Sequence, residues 1–441
     1  MRVAIIGTGP GGFYTADALL KSALESGLDL EIDLIDRLPT PFGLIRGGVA
    51  PDHQTTKRVI KAYDRTAQNE RVRFYGNVEL GKDVSLDALK ALYDAVVLSI
   101  GSPLDRPLGI PGEDKKGVFG AAAFVGWYNG HPDFRSLDPD LSCSAAAVIG
   151  NGNVAIDIAR VLVKTPAEMA ETDLPDYAAQ AIHKGGIKDV YMFGRRGPIE
   201  AKFTNVELRE MGNLSDSHPV VDPADLPDSV EGDWSPRDRR LRERNLETLR
   251  EFTALDPAGK SKRVHFAFYA KPVEILGGDR VEALRLERTA VEGGRARGTG
   301  EFFEVDCGLV LPAIGYQAAP VEGLPFDTDN GVIVNDDGHV EDGVYCAGWV
   351  KRGPTGVIGT NKPDGDIVAQ RILGDLGNLD DLGAGKEGRR GLETLLDGKG
   401  LRYVTYEDWQ KIDEAEISTA TKPAPRRKFV AVEEMLDVLV S

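Results

Sequence analysis

Two short phrases in this chain carry residue types and spacings that can do chemistry. The first is GTGPGG, in which Gly7, Gly9 and Gly12 stand in the GxGxxG spacing. It follows an apolar run, Val3 to Ile6, and precedes a helical pattern that sets Phe13, Ala16, Leu20, Ala23 and Leu24 on one face. In that context Gly7 permits a tight turn, Gly9 lets the backbone approach a pyrophosphate, and Gly12 lets helix and strand pack closely. The free N–H groups of the helix N-terminus then face the phosphates. The next strand pattern, LEIDLID, ends in Asp36, where a carboxylate accepts hydrogen bonds from ribose hydroxyls; this site suits FAD or NAD.

The second phrase is VIGNGNVAIDIAR, with Gly150, Gly152 and Ala155 in the GxGxxA variant and Val154, Ile158, Val161 and Leu162 on one helix face. Thr165-Pro166-Ala167-Glu168 reads as a capping box with proline at the first helical position, so a helical insertion precedes the next strand, Asp189 to Gly194. Where the first unit ends in Asp36, this strand ends in Arg195 and Arg196. An acid there repels a 2′-phosphate, whereas paired guanidiniums clamp it with charge-assisted bonds, so the second site suits NADP. The competing reading is a solvated strand end whose arginines pair with nearby acids.

Two nucleotide sites in one chain describe a flavoprotein reduced by a nicotinamide. The elements that must position them form an α/β fold with two Rossmann-like dinucleotide-binding domains, the NADP domain inserted into a discontinuous FAD domain. The expected division is 1–102 for the first part of the FAD domain, 103–320 for the NADP domain, and 321–441 for the second part with a C-terminal extension. The apolar runs Val96 to Ser102 and Gly308 to Tyr316 flank the insertion. A strand-turn-helix pattern at Gly343 to Leu373, with Ile367, Val368 and Ile372 in its helix, returns the chain to the first domain. From Leu376 to Gly400 the chain is polar and glycine-rich with no interpretable motif, and Thr421 to Val440 reads as a tail with a final helix.

Composition narrows the rest. The 441 residues carry a net charge of −17, which argues against nucleic acid as a bulk partner. No run approaches the ~20 apolar residues that span a bilayer. No secretory pattern precedes Val3, and a cytoplasmic location is expected. Cys143, Cys307 and Cys346 are too far apart for a CxxC pair or a local metal knuckle, which argues against a redox dithiol, an iron-sulfur cluster or a metal site. Against this acidic background, SPRDRRLRERNLETLR at Ser235 to Arg250 opens with an N-cap and Pro236, then places arginines at 237, 239, 240, 242 and 244. The run reads either as a dock for an acidic electron carrier or as a solvated helix with internal ion pairs.

Five motifs resemble the NADPH:ferredoxin reductases of the adrenodoxin reductase type: PTPFGLIRGGVAPDH (Pro39 to His53), VIGNGNVAIDIAR, GRRGP (Gly194 to Pro198), FTNVELREM (Phe203 to Met211) and GWVKRGPTGVIGTNK (Gly348 to Lys362). They run through most of the chain in family order. The resemblance implies FAD contacts by Gly7, Gly9, Gly11, Gly12, Asp36, Leu44, Val78, Trp349, Gly356, Val357 and Ile358. It implies NADP contacts by Asn151, Gly152, Asn153, Val154, Arg195, Arg196, Glu207 and Gly356. His53 and Glu210 match a histidine and glutamate near the flavin and nicotinamide. One departure is Asp36, where related members often have Glu; the shorter acid still reaches a ribose. Glu207 also has a local reading, as partner of Thr204 in a capping box.

The function these features imply is hydride transfer from NADPH to FAD and single-electron delivery to a ferredoxin. A nucleotide-binding redox sensor without electron output would keep both folds. Disulfide reductases share the two sites but require a redox cysteine pair, and amidotransferase-linked small subunits carry a Cys-rich extension that this chain does not show.

Overall fold

A computed structural model describes residues 1–376 and 385–440. Its largest sheet has six strands drawn from both ends of the chain. In spatial order they are His339–Glu341, Val344–Cys346, Ala95–Leu98, Arg2–Ile6, Glu31–Ile35 and Val72–Tyr75. All pair in parallel except His339–Glu341, which runs antiparallel to its neighbour. Ala95–Leu98 is buried along its whole length because helices cover both faces, which is why it reads as an unbroken apolar run. The second sheet has five parallel strands in the order Leu309–Pro312, Ala145–Ile149, Asp189–Phe193, Lys262–Ala267 and Ser217–Val221.

The two passages between the sheets run side by side, with Leu104–Asp105 pairing antiparallel to Tyr316–Gln317. Arg106 secures the crossing by donating to the carbonyls of Tyr316, Asp329 and Asn330. A three-stranded antiparallel sheet, Ala270–Leu276, Ala283–Glu292 and Arg295–Asp306, packs against the second parallel sheet through Ile275, Leu284 and Leu286. The sequence reading did not anticipate it.

Both glycine turns form as expected. The first opens the helix Pro10–Ser26 and the second the helix Asn153–Val163. Phe13, Ala16 and Ala23 are buried, but Leu24 is 81% exposed, so the apolar face is narrower than its spacing indicated. Thr165 and Glu168 form the expected capping box, opening a helix of only 4 residues, Pro166–Met169. The helix Asn361–Asp375 crosses the first glycine-turn helix so closely that a Cβ on Gly365 would lie 2.6 Å from the carbonyl carbon of Tyr14.

The C-terminal fifth of the chain differs most from its reading. Residues 377–384 lie outside the described residues, but Arg389–Gly398 is a helix that buries Leu392 and Leu396 completely. The stretch read as a tail is tied into both domains. Lys428 is buried and donates to the carbonyls of Arg46 and Asn129 at 3.0 Å each, and its ammonium lies 3.1 Å from Asp173. Asp173 also binds Lys57, while Glu416 pairs with Arg46 and Arg426. The cations and prolines of TKPAPRRKF resemble a solvated linker; only the distant partners of Arg426 and Lys428 make them structural.

Candidate active site

The first glycine turn is held from behind. Gly7 has φ +97°, and a Cβ there would lie 2.4 Å from the Ser99 carbonyl oxygen; a Cβ on Gly12 would lie 2.2 Å from Gly7 O. Gly9 is different: the nearest atom to its Cβ position is Gly43 Cα at 3.9 Å, so this glycine keeps an approach to the backbone open. No side chain caps the helix that follows, and its first N–H groups are left for an anion. Asp36 closes the turn, its Oδ2 accepting from Thr8 N at 2.9 Å and Thr8 Oγ1 at 2.6 Å. Its Oδ1 accepts from Leu38 N, and its carbonyl accepts from Val78 N. A carboxylate accepts about four hydrogen bonds, so bracing the turn leaves Asp36 capacity for a ribose hydroxyl.

Two further segments converge on this turn. Gly43, beside Leu44, lies against Gly9, with its Cβ position 2.9 Å from Gly9 Cα. Gly348, beside Trp349, lies 3.4 Å from the Cβ position of Gly11. The indole N–H of Trp349 is buried and has no hydrogen-bond partner. Such a donor costs about 1–3 kcal/mol unless a ligand accepts from it. Gly356 (φ +84°) and Val357 precede the head of the Asn361 helix, and Ile358 packs into the same apolar cluster as Phe13 and Phe42. The residues expected to hold FAD therefore form one cradle with an open backbone approach and an orphaned donor, and they fit the group.

The second turn repeats the plan. The Cβ position of Gly152 has nothing within 4 Å, and no side chain caps the helix it opens. Asn151 lies across the end of the neighbouring strand, its Nδ2 only 1.8 Å from where a Gly194 Cβ would sit, while its Oδ1 is buried without a partner. Arg195 and Arg196 follow directly. Neither forms an ion pair with an acid among the described residues, contrary to the solvated-pair alternative. Their backbone is fixed instead, with Thr289 Oγ1 donating to Arg195 O and Tyr269 N to Arg196 O. An open glycine, an unpartnered amide oxygen and two available guanidiniums fit NADP.

Between the sheets a charged cluster joins the two units. His53 Nε2 lies 3.2 Å from Glu207 Oε2 and 3.6 Å from Glu210 Oε2. Thr204 and Glu207 do not form the anticipated capping box. Thr204 makes no side-chain cap; its N–H donates to Asn153 Oδ1 at 2.8 Å, which releases Glu207 toward His53. Arg160, completely buried, was missed because it reads as one more charge on an amphipathic helix. It makes two bonds to Asp52, at 2.7 and 3.1 Å, and reaches Asp157 at 2.7 Å, Glu207 at 3.2 Å and His53 Nε2 at 2.6 Å. Lys164 adds a second cation on Asp52 at 2.7 Å.

Burial disfavours the His53 imidazolium, but hydrogen bonds to Glu207 and Glu210 outweigh both burial and the Arg160 guanidinium and push its pKa up to about 10. The same contact with His53 holds the Glu210 carboxyl below its ordinary range, against burial. Burial raises Asp157 to about 6, opposed by Arg160. The ligand atoms of His53, Glu207 and Glu210 lie within 4.8 Å of one another, yet the Arg160 guanidinium already supplies the cation at their centre.

Comparison with known proteins places the chain as a whole. Residues 1–171 match the family model described as pyridine nucleotide-disulphide oxidoreductase. The chain is 42% identical over 457 residues to the mitochondrial NADPH:adrenodoxin oxidoreductase of Bos taurus, covering 99% of this chain and 92% of that protein. It is 40% identical over 452 residues to the NADPH-ferredoxin reductase FprA of Mycobacterium tuberculosis, covering 99% and 98%. The structure of that FprA in complex with NADPH superimposes with a TM-score of 0.93, covering 100% of this chain and 99% of the other at 39% identity. At this identity over essentially its full length, the chain belongs to the family of NADPH:adrenodoxin and NADPH-ferredoxin oxidoreductases, FAD-dependent enzymes that draw their electrons from NADPH.

Proposed function

We propose that this protein reduces a ferredoxin-type iron-sulfur protein with electrons from NADPH. The observation that carries the reading is the asymmetry between its two turns, acid at the end of one strand and a free arginine pair at the end of the other. FAD, when bound, supplies the conversion of a two-electron hydride into single electrons. The chain's own residues bind and align. Gly9, Gly11, Asp36, Leu44, Val78, Trp349 and Gly356 to Ile358 hold the flavin nucleotide, with Gly7 and Gly12 shaping the turn. Asn151 to Val154, Arg195, Arg196 and Glu207 hold the nicotinamide nucleotide. His53 and Glu210 sit where the two units meet, as positioning and proton-relay groups, since alignment is the main requirement of hydride transfer. We divide the chain as 1–102, 103–320 and 321–441, a reading supported by the membership of the strands in two separate parallel sheets.

The partner surface is narrower than the five arginines of the sequence reading. Arg239 is committed to the carbonyls of Val230 and Gly232, and Arg242 stacks 3.7 Å over Trp234. Arg237, Arg240 and Arg244 are exposed on the helix Pro236–Thr253 and make no ion pair among the described residues. We place the acidic carrier on these three. A cytoplasmic location accords with three unbridged cysteines, and no helix among the described residues is long and apolar enough to cross a membrane.

Anaerobic addition of NADPH should bleach the yellow protein, and adding ferredoxin and cytochrome c should restore turnover. A protein that stays yellow under NADPH is a sensor rather than a reductase. Charge reversal at Arg237, Arg240 and Arg244 should slow ferredoxin-dependent reduction at low salt more than at high salt, with dye reduction unchanged. Equal loss in both assays removes the dock.

A further inference from the structure

The most heavily bonded side chain among the described residues lies outside every residue assigned so far. Arg160 is completely buried, and all the groups facing its guanidinium are functional candidates or their supports. Asp52 comes from the first unit, and Asp157, Glu207 and Glu210 come from the second. The two bonds from Asp52 fix the plane of the guanidinium, because a carboxylate gripping two guanidinium nitrogens removes its rotational freedom. Lys164, at 2.7 Å, fixes Asp52 in turn. Of the remaining hydrogens, one on Nη2 goes to Asp157 and Nη1 donates to Glu207, the carboxylate that the His53 Nε2–H faces at 3.2 Å, so the guanidinium acts on the ring through Glu207.

We propose that Arg160 is a positioning residue for the nicotinamide half of NADPH: it sets where the Glu207 carboxylate and the His53 ring stand, without touching the adenosine half. This rests on the reading that Glu207 and His53 serve the nicotinamide end while Arg195 and Arg196 serve the 2′-phosphate. The geometry separates those ends. Arg160 is on the helix Asn153–Val163, two turns beyond Gly152, whereas the arginine pair closes the adjacent strand. The charge is also irreplaceable in kind. A lysine keeps the charge but presents one nitrogen, so it cannot hold Asp52 in a fork and still reach both Glu207 and Asp157.

The test uses the FAD-loaded protein and two ligands, NADP⁺ and 2′,5′-ADP, with binding measured by calorimetry. In Arg160→Lys, affinity for NADP⁺ should fall about tenfold or more, the loss of one charge-assisted hydrogen bond, while affinity for 2′,5′-ADP stays at the parent value. In a Glu207→Gln background, adding Arg160→Lys should cost little further NADP⁺ affinity, because the effect runs through Glu207. If Arg160→Lys does not fold, Asp52→Asn loosens the same guanidinium and should weaken NADP⁺ selectively in the same way. Equal weakening of both ligands, or unchanged NADP⁺ binding, overturns the role of Arg160. Failure of the underlying reading looks different: Arg195→Ala with Arg196→Ala would then leave 2′,5′-ADP binding intact.

Discussion

The ammonium of Lys428 lies 3.1 Å from the carboxylate of Asp173, although 255 positions separate them in the chain, and both are buried. Asp173 belongs to the inserted unit, and Lys428 to the C-terminal stretch that also holds Arg46 O. The contact makes the last residues a strap across the two units.

Replacing Lys428 by Met should therefore destabilise the protein by about 3 kcal/mol, the cost of leaving a buried charge with one partner fewer. Urea unfolding measures it. The pH dependence has a defined sign. Burial pushes the Asp173 carboxyl up, but Lys428 and Lys57 outweigh it and hold it at about 2, below the ordinary 3.8. The folded state thus binds fewer protons, and this stabilisation is present above about pH 4 and lost as pH falls through 2. In Lys428→Met the loss should begin at higher pH; an unchanged acid limb would refute the strap.

Alanine at both Arg195 and Arg196 should raise KM for NADPH by an order of magnitude or more, since each charge-assisted bond to the 2′-phosphate contributes roughly 1.5–3 kcal/mol. NADH kinetics should scarcely change. Parallel losses with both coenzymes would show that the pair supports the fold and does not read the phosphate.

Trp349→Phe keeps an aromatic ring, though a smaller one, and deletes the orphaned N–H. Flavin release, followed by fluorescence, should quicken, with affinity lower by about 5–10-fold for one lost hydrogen bond. Thermal stability of the flavin-free protein should change little, because no hydrogen bond to the protein is lost and an aromatic ring remains beside Tyr316. A drop in that stability would mean the indole is a packing element only.

Gly9 and Gly12 share a motif but have different neighbours. Gly12→Ala drives a Cβ to 2.2 Å from Gly7 O and should destabilise the flavin-free fold. Gly9→Ala meets nothing closer than 3.9 Å and should leave that fold intact while weakening FAD. Calorimetric melting of both apoproteins, paired with flavin titration, separates the effects; equal melting losses would contradict the assignment.

The sequence alone determined the features that depend on local backbone geometry and short-range spacing. The two glycine turns, the helices behind them, the Thr165 cap and the exchange of Asp36 for Arg195 and Arg196 all follow from a few consecutive residues. A strand end and a helix start are specified within about ten positions, and their periods survive in the letters. The order of the two glycine motifs and the later strand-turn-helix pattern at Gly343 to Leu373 also implied a chain returning to its first domain.

Tertiary structure decided which charges meet. Arg160 and Asp52 are 108 positions apart, and nothing in either neighbourhood marks one as the partner of the other. The same holds for Lys428 and Asp173, and for Glu207, whose spacing from Thr204 satisfied a local rule that Asn153 displaces by taking the Thr204 N–H. A buried charge costs too much without a partner, so the fold must supply one; which one depends on how two sheets are brought together across the crossing at Arg106. That arrangement is a property of the packed chain and has no period for a sequence to show.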